Sequence, residues 1–349
     1  MPQPDPTPIT TVRTRVLTGI APDAIPFAAL MERQEPVILK GVVAGWPMVA
    51  AGRESTLAAM AYLRRFDGGR AVVGYTGAPE IGGRYFYDDS ATRLNFTGER
   101  VGLGAYLDRI AATLTRADGP SLYIGSTDLD AYLPGFRGEN DLVPGDQMFR
   151  DPPPLASIWI GNRTIASAHY DMAHNIACCL VGRRRFTLFP PEQVHNLYPG
   201  PLEPTPGGQV VSMVDFARPD PVLHPRFPRA VAAAQVAELE PGDMLFYPAL
   251  WWHRVEALEA FNVMVNYWWN GAPDHLDSPM TTLLHAMLSL RDRPAPEKAA
   301  WRALFDHYVF GPADSAAAHL PPAARGVLGP IDAGQARRLR TQILSRLNR

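Results

Sequence analysis

This sequence has little cysteine, almost no net charge and no long hydrophobic run, and each shortage excludes a class of protein. Its 349 residues include two cysteines, adjacent at Cys178 and Cys179, so a disulfide framework is excluded and a reducing compartment is expected. The formal net charge of −2 gives no overall attraction for nucleic acid or an anionic membrane. The longest nearly unbroken apolar run, 244–252, is too short to span a bilayer. The N-terminus lacks the pattern of a signal peptide, so we expect a cytoplasmic protein.

Proline and glycine, by contrast, are abundant. The 35 prolines and 29 glycines argue against a mainly helical protein. Between residues 120 and 272, short apolar segments alternate with Pro/Gly turns, which is typical of a β-barrel or sandwich. The predicted strands are 122–125, 156–160, 166–171, 175–181, 184–189, 209–214, 244–247, 254–258 and 262–269.

Helices are predicted on both sides of this β-rich part. The N-terminal part mixes strands at 37–39 and 71–75 with helices at 56–66 and 103–114, after a proline-rich flexible tail at 1–10. The Ala/Leu/Arg-rich C-terminal part predicts helices at 279–290, 297–305 and 333–347. The sequence therefore predicts a mainly β fold with flanking helices in three parts: a lead-in packing on the core at 1–119, a barrel at 120–272 and a helical region at 273–349.

Three residues of the barrel form a pattern that suits a metal. Side chains alternate along a strand, so His169 and Asp171 project to one face and Tyr170 to the other. With His253 from a distant strand they make a 2-His-1-carboxylate triad, which suits Fe(II) because it leaves three coordination positions open. A hydrogen-bonded barrel histidine is the alternative interpretation of these residues alone.

The neighbouring polar residues support a bound anion. Asn175 has the same strand parity as His169, and Asn266 shares a face with Trp268; a buried asparagine needs polar partners. A glycine turn precedes three arginines, 183–185, and an arginine within an apolar strand is costly unless it meets a fixed anion. A solvated strand end is the alternative for at least one of them.

Together these motifs resemble the JmjC-type cupin proteins. The resemblance is carried by residues 169–191, by the Glu-Pro-Gly-Asp turn at 240–243 that leads into 251–253, and by 265–268. It covers about 122–273 in detail and is greatest to bacterial cupin-like relatives of the asparaginyl hydroxylase factor inhibiting HIF. The resemblance implies a double-stranded β-helix (jelly roll) and an oxygenase that uses Fe(II), 2-oxoglutarate and O₂.

The resemblance also implies roles for single residues. It assigns Fe(II) to His169, Asp171 and His253. It assigns 2-oxoglutarate and its surroundings to Tyr123, Asn175, Arg184, Asn266 and Trp268, with Tyr170 as a further residue packing around the centre. Arg184 stands where those hydroxylases place a lysine that pairs with the distal carboxylate; it is larger, but its planar fork can bind a carboxylate bidentately. The threonine expected three residues before the first ligand is Ala166, so fewer hydroxyl contacts are expected.

The implied reaction couples the decarboxylation of 2-oxoglutarate to hydroxylation of a protein or peptide side chain or of an amino-acid-like small molecule. A metal cupin of another class, an isomerase or a cosubstrate-independent dioxygenase, is one alternative, although such sites usually present three or four histidines. An RNA-modifying hydroxylase is disfavoured because no basic stretch is interleaved with aromatic residues. A non-catalytic JmjC-like binding module usually has a broken triad. The segment 82–89 is predicted as either a substrate lid or a packed hairpin, and 199–220 as a loop at the barrel mouth.

The last predicted helix, 333–347, carries an apolar stripe that concerns the association of subunits. Leu339, Ile343, Leu344 and Leu347 recur at helical intervals and form a stripe that must be buried, either on the chain's own barrel or against a second copy of the chain. The related hydroxylases dimerise through C-terminal helices, so we expect a homodimer, with no nucleic-acid or membrane partner.

Overall fold

The computed structural model describes residues 12–116, 118–142, 153–312 and 314–348. The tail predicted at 1–10 lies outside the described residues. By Cα proximity the chain divides into a first unit, Met1–Asn270, and a second, Gly271–Arg349. The boundary predicted between residues 119 and 120 stays a prediction.

The described strands all lie in the first unit. They are β1 (Val12–Arg13), β2 (Arg15–Leu17), β3 (Val37–Leu39), β4 (Val72–Gly77), β5 (Arg84–Tyr85), β6 (Phe96–Val101), β7 (Ser121–Asp128), β8 (Leu155–Gly161), β9 (Ile165–Tyr170), β10 (His174–Val181), β11 (Arg184–Phe189), β12 (Gln235–Leu239), β13 (Met244–Tyr247), β14 (Trp252–Ala257) and β15 (Asn262–Trp269).

The helices of the first unit lie mostly before the barrel. They are α1 (Phe27–Arg33), α2 (Pro47–Glu54), α3 (Thr56–Arg64), α4 (Leu103–Ala111), α5 (Leu129–Tyr132), α6 (Val194–Leu197) and α7 (Phe227–Ala232). The second unit contains α8 (Pro279–Leu290), α9 (Ala295–Phe305) and α10 (Ala333–Leu347).

Eight strands form the barrel as two antiparallel four-stranded sheets. One has the order β13-β10-β15-β8 and the other β12-β11-β14-β9. Consecutive strands lie in different sheets except for β11 and β12, which are neighbours in the second sheet, and this is the winding of a jelly roll. The predicted fold class is confirmed. The N-terminal strands lengthen both sheets: β2-β3 and β7-β4-β6 flank the first, and β1 and β5 flank the second.

The burial of β10 shows why the barrel strands read as apolar runs. Ala177 and Cys179 face the other sheet and pack in the barrel interior. Ile176, Cys178 and Leu180 face the opposite way and pack with side chains of the N-terminal helices. A strand buried on both faces has no polar side, so alternation disappears from its sequence.

One predicted strand is wrong and one barrel strand was missed. Residues 209–214 contain only isolated bridges, Val211 with His169 and Ser212 with Pro199, because Gly208 at φ 87° turns the chain just before them. The true barrel strand is β12, which follows the alanine-rich end of α7. Local helix propensity hid it, and pairing with β11 on one side and β1 on the other overrides that propensity.

The second unit buries few side chains. Of its described residues, Ala316, Ala317 and Ala336 are buried, whereas Leu288 and Phe310 are 81% and 75% exposed. Residues of this unit line an open, mainly apolar cavity of about 1090 Å³. No helix in the described parts of either unit is both long and apolar enough to cross a membrane.

Candidate metal centre

Two neighbouring strands bring the candidate ligands together. Antiparallel pairing of β9 with β14 places His169 directly opposite His253, with ring centroids 4.2 Å apart. Asp171 lies one residue beyond the end of β9, and its Oδ2 is 3.6 Å from Nε2 of His253. One nitrogen or oxygen atom of each residue lies within 4.8 Å of the others. The three side chains therefore converge as a facial triad requires.

The ring orientations of both histidines suit a metal. Nδ1 of His169 is 2.8 Å from the carbonyl oxygen of Ser167, and Nδ1 of His253 is 3.0 Å from that of Trp251. Since a carbonyl only accepts, each Nδ1 carries a proton, and in the neutral imidazole each Nε2 then keeps a lone pair for a metal. Burial, reinforced by the nearby His169, lowers the pKa of His253 to about 4, so its imidazole is neutral at physiological pH.

The triad opens into a cavity of about 440 Å³ that also contains Arg184. Arg184 and Leu188 share a face of β11, and Leu188 pairs with His253. The Cα of Arg184 therefore lies about 13 Å along β11 from the Cα of Leu188, the residue opposite His253. Arg184 is 2% exposed, and its Nε and Nη2 have no hydrogen-bond partner among the described residues. Burial lowers its pKa. The cavity thus has a triad towards one end and an uncompensated cation towards the other.

Comparison with known proteins identifies the family. A family profile described as a cupin-like domain matches residues 22–275. The chain belongs to the cupin-like domain family. Jumonji C domain-containing protein 5 of Drosophila melanogaster is 27% identical over 245 residues, 68% of this chain and 55% of that protein. Lysine-specific demethylase 8 of Xenopus tropicalis is 27% identical over 245 residues, 68% of this chain and 48% of that protein.

A shorter match is to lysine-specific demethylase JMJ31 of Arabidopsis thaliana, 33% identical over 138 residues, 37% of this chain and 25% of that protein. The chain therefore spans between a quarter and about half the length of these relatives. One of them is named for a Jumonji C domain and two are named lysine-specific demethylases, and the narrower resemblance to the asparaginyl hydroxylase stays a prediction.

In this cupin-like domain a hydrogen-bond relay holds the carboxylate of Asp171. Nε1 of Trp159 donates to Oδ1 of Asn266 (2.6 Å), Nδ2 of Asn266 donates to Oδ1 of Asn175 (3.3 Å), and Nδ2 of Asn175 donates to Oδ2 of Asp171 (3.1 Å). An indole N–H can only donate, so it fixes the orientation of both amides in turn. The two asparagines were predicted; Trp159, at the start of the relay, was missed because a tryptophan in an apolar strand reads as core.

Trp159→Phe is expected to weaken metal binding about tenfold, because partners behind the ligands commonly contribute on this scale. The change keeps a ring on β8 but removes the donor, so Asn175 is free to turn its oxygen towards Asp171. Mn(II) affinity measured by electron paramagnetic resonance checks this. Trp268→Phe is the matched control, since its indole nitrogen has no hydrogen-bond partner in the described chain. Equal Mn(II) affinities of the two variants would contradict the relay.

The remaining predicted residues divide between cavity and core. Tyr123 and Trp268 line the cavity, and Trp268 meets the ring of Trp159 edge-on at 6.0 Å. The role expected of Tyr170 at the centre is wrong: strand alternation turns it to the other face, where it packs against Trp252 with ring centroids 4.8 Å apart. Tyr247 was not predicted, yet it lines the cavity and its ring centroid is 4.7 Å from that of His253.

A bulge in β9 shapes the wall beside the triad. Between its pairings with His253 and Val255, β9 advances three residues, from His169 to Ala166. The extra residue reverses the alternation, so Ala166 and His169 line the same cavity despite their odd separation. Thr164, two residues earlier, also lines it and supplies a hydroxyl on this wall.

Proposed function

We propose that this cupin-like domain is an Fe(II)- and 2-oxoglutarate-dependent oxygenase that hydroxylates a protein or peptide side chain or a small amino-acid-like molecule. The observation that carries the proposal is the buried Arg184, whose Nε and Nη2 have no hydrogen-bond partner among the described residues, in the same cavity as the triad. A buried charge without a partner is costly, and the distal carboxylate of 2-oxoglutarate would pair with it.

The donor set fits both groups. His169, Asp171 and His253 offer two neutral nitrogens and one carboxylate, a set that suits Fe(II). Arg184 would bind the distal carboxylate, with Tyr123 beside it; burial raises the pKa of Tyr123 to about 12, so its hydroxyl stays protonated and can donate. When bound, iron and 2-oxoglutarate supply the activation of O₂ needed to oxidise a C–H bond.

The protein's own part is to orient and to exclude water. The relay from Trp159 holds Asp171 in one orientation. Apolar side chains, Phe186, Val255 and Met264, line the cavity between its polar groups and limit solvent near the reacting atoms. The names of the relatives support protein side chains as the substrate class. A metal cupin of another class would not need the unpaired arginine.

Purified protein with Fe(II), ascorbate and 2-oxoglutarate, screened against cell-extract peptides by mass spectrometry, tests the proposal. Succinate that accumulates only with both Fe(II) and 2-oxoglutarate, together with an oxidised peptide, is the expected result. Absence of 2-oxoglutarate binding to the metal-loaded protein would contradict it and favour another class of cupin.

We also propose a homodimer formed through the second unit. Ile343, Leu344 and Leu347 on α10 are 48%, 58% and 50% exposed, so the predicted stripe is largely uncovered in one chain. Ile343→Arg is expected to give monomers in light scattering at micromolar concentration, because an interface would bury an unpaired charge. Thr341→Arg, on the opposite side of the helix, is the control and should leave the mass unchanged. A wild-type protein of monomer mass would contradict the dimer.

A further inference from the structure

Five aromatic rings form an unbroken row beside the metal centre. They come from five strands, β4 to β8, in the order Tyr75, Phe96, Tyr85, Tyr123 and Trp159. Successive ring centroids are 5.6, 4.9, 5.6 and 5.9 Å apart. The segment predicted as a lid or a hairpin contributes to this row: Arg84–Tyr85 is strand β5, which pairs with β9, and Tyr85 is buried.

The row lines a second cavity of about 370 Å³, here called the aromatic chamber. Tyr123, Trp159, Ala166 and His169 line both this chamber and the metal cavity, so the two cavities adjoin at these residues. Arg184 lines the metal cavity and is not part of the chamber wall. The chamber therefore reaches His169 without including the cation in its wall.

The wall of the chamber carries no fixed charge. Among its described residues there is no Asp, Glu, Lys or Arg; the ionisable groups are the three tyrosines and His169. Burial raises the pKa of Tyr85, and its hydroxyl donates to the backbone carbonyl of Tyr75 at 3.1 Å. The chamber thus presents ring surfaces and a few neutral hydroxyls.

We propose that the aromatic chamber binds an uncharged apolar group of the substrate and holds it beside His169. This rests on the proposed function, since it assigns the substrate end of the same site. An apolar group would leave water for a mainly apolar wall, which is favourable. A cationic group would lose its hydration with no carboxylate among the described residues of the chamber wall to replace it. We expect that the ring faces alone do not offset this cost. The metal cavity therefore binds the anionic cosubstrate through Arg184, and the aromatic chamber binds a neutral group of the substrate.

Two molecules of the same shape and different charge test this: 3,3-dimethyl-1-butanol and choline, in which a quaternary ammonium replaces the quaternary carbon. Binding is measured by saturation-transfer NMR on the 349-residue protein loaded with Zn(II) and 2-oxoglutarate, so no turnover is needed. The alcohol is expected to bind at least about tenfold more tightly than choline. Equal or tighter choline binding would overturn the proposal. So would failure of the alcohol to bind while 2-oxoglutarate binds normally.

Phe96→Glu, which would add a carboxylate to the chamber, is expected to weaken binding of the alcohol and to reverse the ratio in favour of choline. Phe96→Leu is the matched control and should keep the preference for the alcohol. Neither change touches Arg184, so 2-oxoglutarate binding should be the same in both variants. An unchanged ratio in Phe96→Glu would place the probe elsewhere and overturn the assignment. If the alcohol binds but 2-oxoglutarate does not, the proposed function fails and the assignment of the chamber stands.

Discussion

Asp171→Ala is expected to reduce turnover below detection and metal content to the level of the metal-free protein. Asp171 is the one anion of the triad, so its loss leaves Fe(II) held by two neutral nitrogens and removes the acceptor of Asn175. Succinate formation and bound metal per chain are the measurements. The fold should survive, because the residue lies just beyond the end of β9 and forms no part of the hydrophobic core.

Asp89→Ala provides the control for this variant. Asp89 is exposed and follows the short strand β5, far along the chain from the triad. It should show the metal content and turnover of the unmodified protein. Wild-type activity in Asp171→Ala, with its thermal unfolding unchanged, would reject the assignment of the metal site.

Arg184→Ala is expected to weaken the apparent affinity for 2-oxoglutarate between about tenfold and a hundredfold. A charge-assisted hydrogen bond is typically worth about 1.5–3 kcal/mol, which converts to that range. The KM for 2-oxoglutarate should therefore rise. Arg184→Lys should recover part of the affinity, because it restores the charge but not the planar fork.

The two flanking arginines are natural controls for Arg184. Arg183 is 2.7 Å from a carboxylate oxygen of Glu259, and Arg185 is 2.9 Å from one of Glu238. Both are solvent-exposed and already paired, so changing either to alanine should leave the 2-oxoglutarate titration unaltered. An unchanged titration in Arg184→Ala would overturn its role as the carboxylate anchor.

The parts of the site that follow from strand alternation could be predicted, and the parts that follow from pairing could not. His169 and Asp171 are two residues apart, so their shared face is visible in the sequence. The distance of His253 from them depends on the β9–β14 register, which no local pattern encodes. The same limit hid Trp159: its N–H meets Asn266 only because β8 pairs with β15.

The aromatic row is the part of the structure that depends most on strand pairing, which the sequence does not reveal. Tyr85 lies on a strand of two residues, too short for any periodicity, and Tyr75 and Phe96 lie on strands outside the barrel. Their rings meet because β4 and β6 extend one sheet while β5 extends the other. Ladder contacts between distant segments therefore decide which N-terminal residues reach the site. The sequence pointed to Tyr85 only as part of the segment 82–89, predicted as a lid or a hairpin, and assigned no role to Tyr75 or Phe96.

The bulge in β9 separates two paired stretches of the strand. On one side of the extra residue, pairing with β14 holds His169; on the other, Ala166 pairs with Val255. Deleting Ser167 or Ala168 would remove the extra residue and make the ladder regular, with His169 still opposite His253 and Ala166 still opposite Val255 on the cavity side. The chain can therefore lose one residue here, beside the metal ligands, while the side chains that face the cavity stay the same.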